Sequence, residues 1–288
     1  VPGVRIQADA TEVLKDLGLV QSGTPTNGAD VLFGKKPSSR LPQTRIRGTV
    51  YATNKGGDFV DDRLFEGNAM ALLEQVFSFV EQHVRVESRF KAGKIIREDR
   101  PEYPFAALRE GLINAIVHRD YSVSTGGMAV GVYPDRIEIW NTGRLPEGWK
   151  PRDLRKEHVS QPANPRMAHV FYLRGIIERV GRGTLKILDE CATAGLRPPN
   201  WRETPGGITL VLYGERRRAH LNSRQRRLLE RLRPGDELRP GDYYAELEGE
   251  VSQRQAQRDL SHLESAGWLR KEGEGPSTVY IRSEQKAP

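Results

Sequence analysis

The chain has 288 residues, enough for two or three domains with a sizeable core. Its formal net charge of +7 and sequence pI of about 9.5 favour an anionic partner such as nucleic acid or nucleotide. A lone cysteine, Cys191, excludes an internal disulfide and fits a reducing, cytoplasmic setting; no zinc-type Cys/His spacing, no long apolar run and no secretory leader pattern is present.

The chain opens at Val1-Pro2 without a methionine, as a piece of a longer protein would. Residues 1–85 read as a small α/β connecting region. Ala10 to Leu17 has helical spacing and stops at Gly18. Thr26-Asn27-Gly28 is turn chemistry before the short apolar run Ala29 to Phe33. Thr44 to Ala52 alternates like a strand. Leu64 to Val84 reads as one long amphipathic helix, with Leu64, Met70, Leu73, Val76, Phe77 and Val80 toward the core. Val84 to Arg97 alternates weakly, as a strand or hairpin would.

The next stretch, Pro101 to Ser122, organises the chain. Pro104 suits the first turn of a helix, and the residues after it are good helix formers interrupted only by Gly111. At about 100° per residue, Leu108, Leu112, Ile113, Ile116 and Val117 cover a wide apolar arc. Glu110, Asn114 and His118 fall at i, i+4 and i+8 in one polar stripe. A mostly apolar helix is mostly buried, so that stripe must face a cavity, a ligand or a partner. A carboxylate one turn before an amide can take a proton from water while the amide oxygen ligates a hard cation. On this pattern alone an ordinary solvated face explains the stripe somewhat better.

Met128 to Tyr133 and Arg136 to Trp140 read as two strands around Tyr133-Pro134-Asp135. The second runs into Asn141-Thr142-Gly143, where a short polar side chain and a glycine let a flat ligand approach the backbone; taken alone, a simple turn is the better reading. Residues 144–165 form a long Pro-rich loop, of the kind that is functional or disordered. Arg166 to Leu173 is helical and Gly175 breaks it. Gly181-Arg182-Gly183-Thr184 opens a helix that runs to Ala194, where backbone N–H groups and a positive dipole end can meet phosphate. Thr184 serves equally well as an N-cap. Gly206-Gly207 starts a strand, Ile208 to Tyr213.

Past Gly214 the composition shifts. Glu215 to Arg218 is a basic linker, and two short helices follow, Ser223 to Leu232 and Gly241 to Leu247. Ser252 caps a third helix through Ala266, stopped by Gly267, with Ala256, Leu260 and Leu263 inward. Gln253, Arg254, Gln257 and Arg258 face out from its N-terminal half, where a recognition helix touches bases and phosphates. Trp268 to Lys271 and Thr278 to Ile281 read as strands of a wing, with Lys271 available to phosphate. Over residues 216–288, 15 Lys and Arg stand against 12 Asp and Glu, too small an excess to decide between DNA and protein as the partner.

Helix with Glu110 and Asn114, strand into Asn141-x-Gly143, loop, then Gly-x-Gly at a helix start: this order resembles the Bergerat-type (GHKL-like) ATPases, which include gyrase B, the 90-kDa heat-shock chaperones, histidine kinases and MutL proteins. More closely, GLINAIVHRDYS (111–122), RIEIWNTGRLP (136–146) and IIERVGRGTLKIL (176–188) resemble a divergent "RecG-like" branch of predicted transcriptional regulators. In that branch the ATPase-like domain follows a Schlafen-type AlbA-like module and precedes a winged helix. LKDLGLV (14–20) and ADVLFGKKP (29–37) resemble the region connecting to that module, and RDLSHLESAGWL (258–269) resembles the winged helix of bacterial regulators.

The resemblance implies an α+β chain: a connecting region at 1–85, a Bergerat-type α/β sandwich with its mixed sheet covered by helices at 86–215, and a winged helix-turn-helix domain at 216–288. It implies ATP or ADP with Mg²⁺ as ligands, duplex DNA as partner, a homo-oligomer and no membrane association. Glu110 is then the general base and Asn114 the Mg²⁺ ligand. Asn141 stands where the superfamily usually has an Asp that accepts from the adenine amino group, and contributes a neutral, weaker bond. Gly143 lets adenine approach, Gly181 and Gly183 cradle phosphate, and His118 and Thr184 belong to the same binding set. The function implied is a DNA-binding regulator modulated by nucleotide, at most a weak Mg-dependent ATPase. A nucleic-acid remodelling ATPase ranks lower, because the chain has no Walker-type phosphate loop. The third reading is a degenerate scaffold that binds protein.

Overall fold

The computed structural model describes residues 9–90, 97–178, 181–204, 206–214, 221–247, 249–265, 268–273 and 275–283. The chain divides into two units, Val1–Glu215 and Arg216–Pro288. In the first, the elements in order are α1 (Ala10–Asp16), β1 (Val20–Gln21), β2 (Thr24–Pro25), α2 (Asn27–Phe33), β3 (Ile46–Tyr51), β4 (Phe59–Phe65), α3 (Ala69–His83), β5 (Val86–Phe90) and β6 (Arg97–Pro101). Then come α4 (Phe105–Val117), β7 (Met128–Val132), β8 (Arg136–Thr142), α5 (Pro165–Leu173), α6 (Gly183–Thr193), β9 (Asn200–Thr204) and β10 (Gly207–Tyr213).

Six strands form one mixed sheet in the order β4-β3-β7-β8-β10-β9. Only the β3–β7 pair is parallel. Since β3 and β4 precede residue 85, the segment read as a connecting region contributes two strands and α3 to the same unit as α4 and β8. The inward-facing side chains of these strands, Ile46, Val130, Ile137, Ile139 and Leu210, share one core with α3, α4 and α6.

The structure departs from the sequence reading at several points. Leu64 does not begin a helix: it is a strand residue of β4, exposed, and α3 starts at Ala69 behind an Asn68 cap whose side chain accepts from the Ala71 N–H at 3.0 Å. The apolar run 29–33, which the sequence assigns to no element, is helical, with the Thr26 side chain accepting from the Ala29 N–H. β8 continues through Asn141 and Thr142, whose partners on β10 are Ile208 and Gly207. The loop 144–165 contains a short 3₁₀ turn at Pro151–Arg155. Strand β9 carries no alternation that would announce it. The basic linker at 215–218 and the helix stop at 266–267 lie outside the described residues.

Helix α4 is the element that positions the site. Its apolar arc is buried as the wheel predicts: Leu108, Leu112, Ile113, Ile116 and Val117 are all nearly inaccessible. Gly111 explains how closely it sits on the sheet. A Cβ built there would lie 2.8 Å from Leu210 Cδ2 on β10 and 3.1 Å from Ile139 Cδ1 on β8.

The second unit consists of α7 (Ser223–Arg231), β11 (Glu237–Leu238), α8 (Pro240–Glu246), α9 (Gln253–Ser265), β12 (Leu269–Glu272) and β13 (Val279–Arg282). Its sheet runs β11-β13-β12, antiparallel. It has its own core around Leu228, Leu229, Tyr243, Leu260, Leu263 and Tyr280. Ala256 is buried with them, as the α9 spacing predicts.

Replacing Gly111 with valine forces branched bulk into the α4–sheet contact. The N-terminal unit should lose about 1–3 kcal/mol, the usual cost of overpacking. Thermal unfolding of wild type and Gly111→Val measures it, and an unchanged midpoint would show that the helix has room to spare.

Candidate functional site

The polar stripe of α4 faces a cavity of about 300 Å³, at the small end of the range for ligand pockets. Its walls are α4, the end of β8, the 144–162 loop and the start of α6. Glu110, Asn114, His118, Asn141, Gly181, Gly183 and Thr184 all line it. Gly143 lies beside the lining rather than in it: a Cβ there would come 3.0 Å from the His118 carbonyl and 3.2 Å from Asn141 Nδ2.

The closest approach within the set joins its two ends. A Cβ on Gly183 would fall 2.1 Å from Glu110 Oε1 and 3.3 Å from Asn114 Nδ2. Only glycine at the first residue of α6 lets the carboxylate and amide of α4 lie against that helix start. Gly181 has φ +65° and lies so close to the 158–160 loop that a Cβ would come 2.9 Å from the Ser160 backbone nitrogen. Asn141 is buried, and its Nδ2 donates to the Thr142 carbonyl at 3.2 Å, which leaves the amide oxygen for the cavity.

Burial pushes the Glu110 carboxyl above the ordinary carboxylate range. Lys186, Arg109 and the hydrogen bond with Asn114 oppose that shift, and Glu178 adds to it. Burial, helped by the positive field of His158, holds the His118 imidazole below its ordinary value. His158 shares a 2.9 Å hydrogen bond with the Thr184 hydroxyl and packs edge-on against Trp149 at 4.8 Å. So Thr184 is engaged by a ring from the loop.

Sequence reasoning missed several lining residues: Arg109, Arg144, Trp149, His158 and Lys186. Lys186 was findable, since it follows Gly183 by one helical turn. His158 and Trp149 were not, because they sit in a loop with no periodicity. The segment His118-Arg119-Asp120-Tyr121 acts mainly as a clasp. The Arg119 guanidinium is buried, donates to the Thr44 and Arg45 carbonyls at 3.4 Å and lies 5.3 Å from the Tyr121 ring. Asp120 accepts from the Ser122 N–H and hydroxyl. Asn164, just before α5, donates to the Val117 and Arg119 carbonyls at 2.9 and 2.7 Å.

In the second unit, Gln253, Arg254, Gln257, Arg258 and Lys271 are all exposed. Gln257 is tied within the unit, accepting from the Tyr244 hydroxyl and donating to the Tyr280 hydroxyl at 3.3 Å. Arg224, Arg227 and Arg231 on or near α7 are neutralised by Asp259, Glu250 and Glu246 at 2.7–2.8 Å.

Residues 126–212 match a family described as "Putative ATP-dependent DNA helicase recG C-terminal". The match supports an ATPase-like domain over β7 to β10; it does not extend to α4 with Glu110 and Asn114. No curated protein matches the chain. Among solved structures, the DIP2311 protein from Corynebacterium diphtheriae is similar in fold, with a TM-score of 0.60 at 17% identity. The alignment covers 96% of this chain and 58% of that one, so the chain spans well under two thirds of that protein's length. No described helix is long and apolar enough to cross a membrane.

Because its folded-state pKa is raised, Glu110 binds a proton more readily in the folded than in the unfolded chain. It therefore costs stability as pH rises above the ordinary 4.5 through the raised value. Glu110→Gln should melt higher than wild type at neutral pH, and the two curves should converge as pH falls toward 4.5. Equal melting temperatures across that range would show that the carboxylate is adequately solvated.

Proposed function

We propose that this chain binds ATP or ADP in the α4–α6 cavity and duplex DNA through residues 216–288, as a DNA-binding regulator modulated by nucleotide. In this reading residues 86–215 form a Bergerat-type domain, extended by the strands before residue 85, and 216–288 a winged helix. One observation carries it: the cavity gathers Glu110, Asn114, Asn141, Gly181 and Gly183, which lie up to 73 positions apart in the chain. The family match over 126–212 agrees with it.

The residues suit the ligand. Asn141 offers an amide oxygen to an exocyclic amino group. The glycines at the start of α6 bring backbone N–H groups and a positive helix end to phosphate, with Lys186 and Arg109 adding charge. Among the described residues, no group of three His, Cys, Asp or Glu side chains is placed to hold a metal. Mg²⁺ therefore fits only as a companion of the nucleotide phosphates, with the Asn114 oxygen as the protein's contribution. When bound, the cation supplies neutralisation of phosphate charge. Glu110, with its raised pKa, is suited to accept a proton from water near neutral pH.

Calorimetric titration with ATP and Mg²⁺ tests the nucleotide half. Asn114→Ala should weaken binding by about 10- to 100-fold. If wild type shows no heat and no melting shift with either ATP or ADP, this half fails. For the DNA half, Arg254 and Arg258 form no ion pair among the described residues and are free to meet phosphate. Arg258→Ala should weaken duplex binding and lower the slope of log affinity against log salt by about 1. No binding to any duplex at low salt would leave the second unit to a protein partner.

A further inference from the structure

Most polar side chains that line the cavity already have partners. Asn114 is hydrogen-bonded with Glu110, and Arg109 donates to the Ile176 carbonyl at 2.8 Å. His158 is engaged by the Thr184 hydroxyl at 2.9 Å and the Val159 carbonyl at 3.3 Å. Asn141 donates through Nδ2 to the Thr142 carbonyl. His118 differs from these. It is half-buried and lines the cavity, and neither of its ring nitrogens has a hydrogen-bond partner among the described residues. A polar ring held largely out of water without a partner is costly, and a ligand group in the cavity would relieve that cost.

The fold puts His118 beside Asn141. The Asp120 N–H donates to the Thr142 carbonyl at 2.8 Å, which ties the end of α4 to the end of β8. Gly143 lets the two segments lie in contact, since a Cβ there would come 3.0 Å from the His118 carbonyl. The other end of the polar stripe has a different character. Glu110 lies about 12 Å back along the helix axis. There it meets Gly183 and the charges of Lys186 and Arg109. Arg144 follows Gly143 and also lines the cavity, but the Asp120 carboxylate shares its field.

The His118 ring is neutral in this setting, because burial and the field of His158 hold its imidazole below the ordinary value. A cationic ring would be a second seat for phosphate. A neutral ring presents one N–H donor and one acceptor. With the Asn141 oxygen, that N–H makes a donor beside an acceptor. Adenine carries the matching pair, an amino donor at N6 next to an acceptor at N7. Guanine carries acceptors at both O6 and N7, and so would set O6 against the Asn141 oxygen. Ile139 and Ile208, which line the cavity next to Asn141, supply an apolar wall for the purine face.

We propose that His118 is a specificity-determining residue for the purine. Its ring N–H binds the ring nitrogen next to the amino group that Asn141 accepts from, so the pair selects adenine over guanine. The inference rests on the nucleotide reading of the cavity and gives it a direction, with the base at the His118 end and the phosphates at the Gly183 end.

Calorimetric titration with ATP, GTP and inorganic tripolyphosphate, each with Mg²⁺, separates the two ends. Wild type should take ATP about tenfold or more tightly than GTP. His118→Leu should weaken ATP about 3- to 10-fold, the loss of one hydrogen bond. It should also bring ATP and GTP closer together and leave tripolyphosphate unchanged. His118→Gln, whose amide restores a donor, should recover most of the preference. Asn114→Ala should instead weaken ATP and tripolyphosphate alike and leave the ratio of ATP to GTP as it was. A wild type indifferent between ATP and GTP, a ratio unmoved by His118→Leu, or a loss of tripolyphosphate as large as that of ATP overturns the inference and leaves the nucleotide reading standing. A wild type that binds no nucleotide sinks both. If His118→Leu fails to fold, ATP analogues with N1 or N7 replaced by C–H decide on the wild-type protein. One of them should bind about 3- to 10-fold more weakly than ATP, and equal affinity of both with ATP overturns the inference.

Discussion

A carboxylate held partly out of water at Glu110 is costly, and much of the N-terminal unit makes it tolerable. The raised pKa measures that cost. The compensations come from different parts of the chain. Asn114 lies one turn along the same helix, Arg109 is its neighbour in sequence, and Lys186 belongs to α6. Of the three, Lys186 needs α4 and α6 in close register. Gly111 lets α4 lie close on the sheet, and Gly183 leaves room for the Glu110 carboxylate where α6 meets α4. Two glycines thus bracket the acid, one beneath its helix and one in front of it. A protein with no use for an acid here would lose nothing by having a leucine, which makes the arrangement hard to explain as packing alone.

The legible part of this site was the part written in helical period. The spacing of Glu110, Asn114 and His118 against an apolar arc fixed which face of α4 is polar, and the cavity lies on that face. Asn141 and the glycines before α6 read singly as a turn and a helix start; their order after Glu110 and Asn114 is what set them apart. What the sequence concealed is tertiary. Trp149 and His158 reach the cavity from a loop whose residues follow no repeat. Leu64 was misread because an apolar residue at an exposed strand edge has the spacing of a helix start. The pattern cannot distinguish a side chain that packs at once from one left uncovered.

The His118 to Ser122 segment shows the same limit from the other side. Its residue types suggest chemistry, yet Arg119 and Tyr121 are spent on structure. Arg119 reaches the carbonyls before β3, and the Gln43 side chain donates to the Tyr121 carbonyl at 2.7 Å. The Tyr121 hydroxyl donates to the Ile116 carbonyl at 3.1 Å, and burial pushes its pKa up to about 12. These bonds fasten the end of α4 to the approach of β3, while Asn164 fastens it to α5. A charged residue buried this deeply persists when its removal would leave several carbonyls unpaired. The clasp fixes His118 at the cavity rim and so fixes where the polar stripe ends.

Pairing, rather than net charge, separates the two faces of the second unit. Counted over residues 216–288, basic and acidic side chains nearly balance, which by itself says little about a polyanionic partner. The acids are not spread evenly. Asp259, Glu246 and Glu250 each take an arginine on or near α7, and Asp259 also accepts from Asn222 at 2.9 Å inside the core. Gln257 is committed to Tyr244 and Tyr280. What remains along the outer face of α9 is Arg254 and Arg258, with Lys271 on β12, exposed and outside these ion pairs. Arg224, Arg227 and Arg231 thus carry internal counter-ions, while Arg254, Arg258 and Lys271 stay outside these pairs. Such local excess, not the total, is what a phosphate backbone meets.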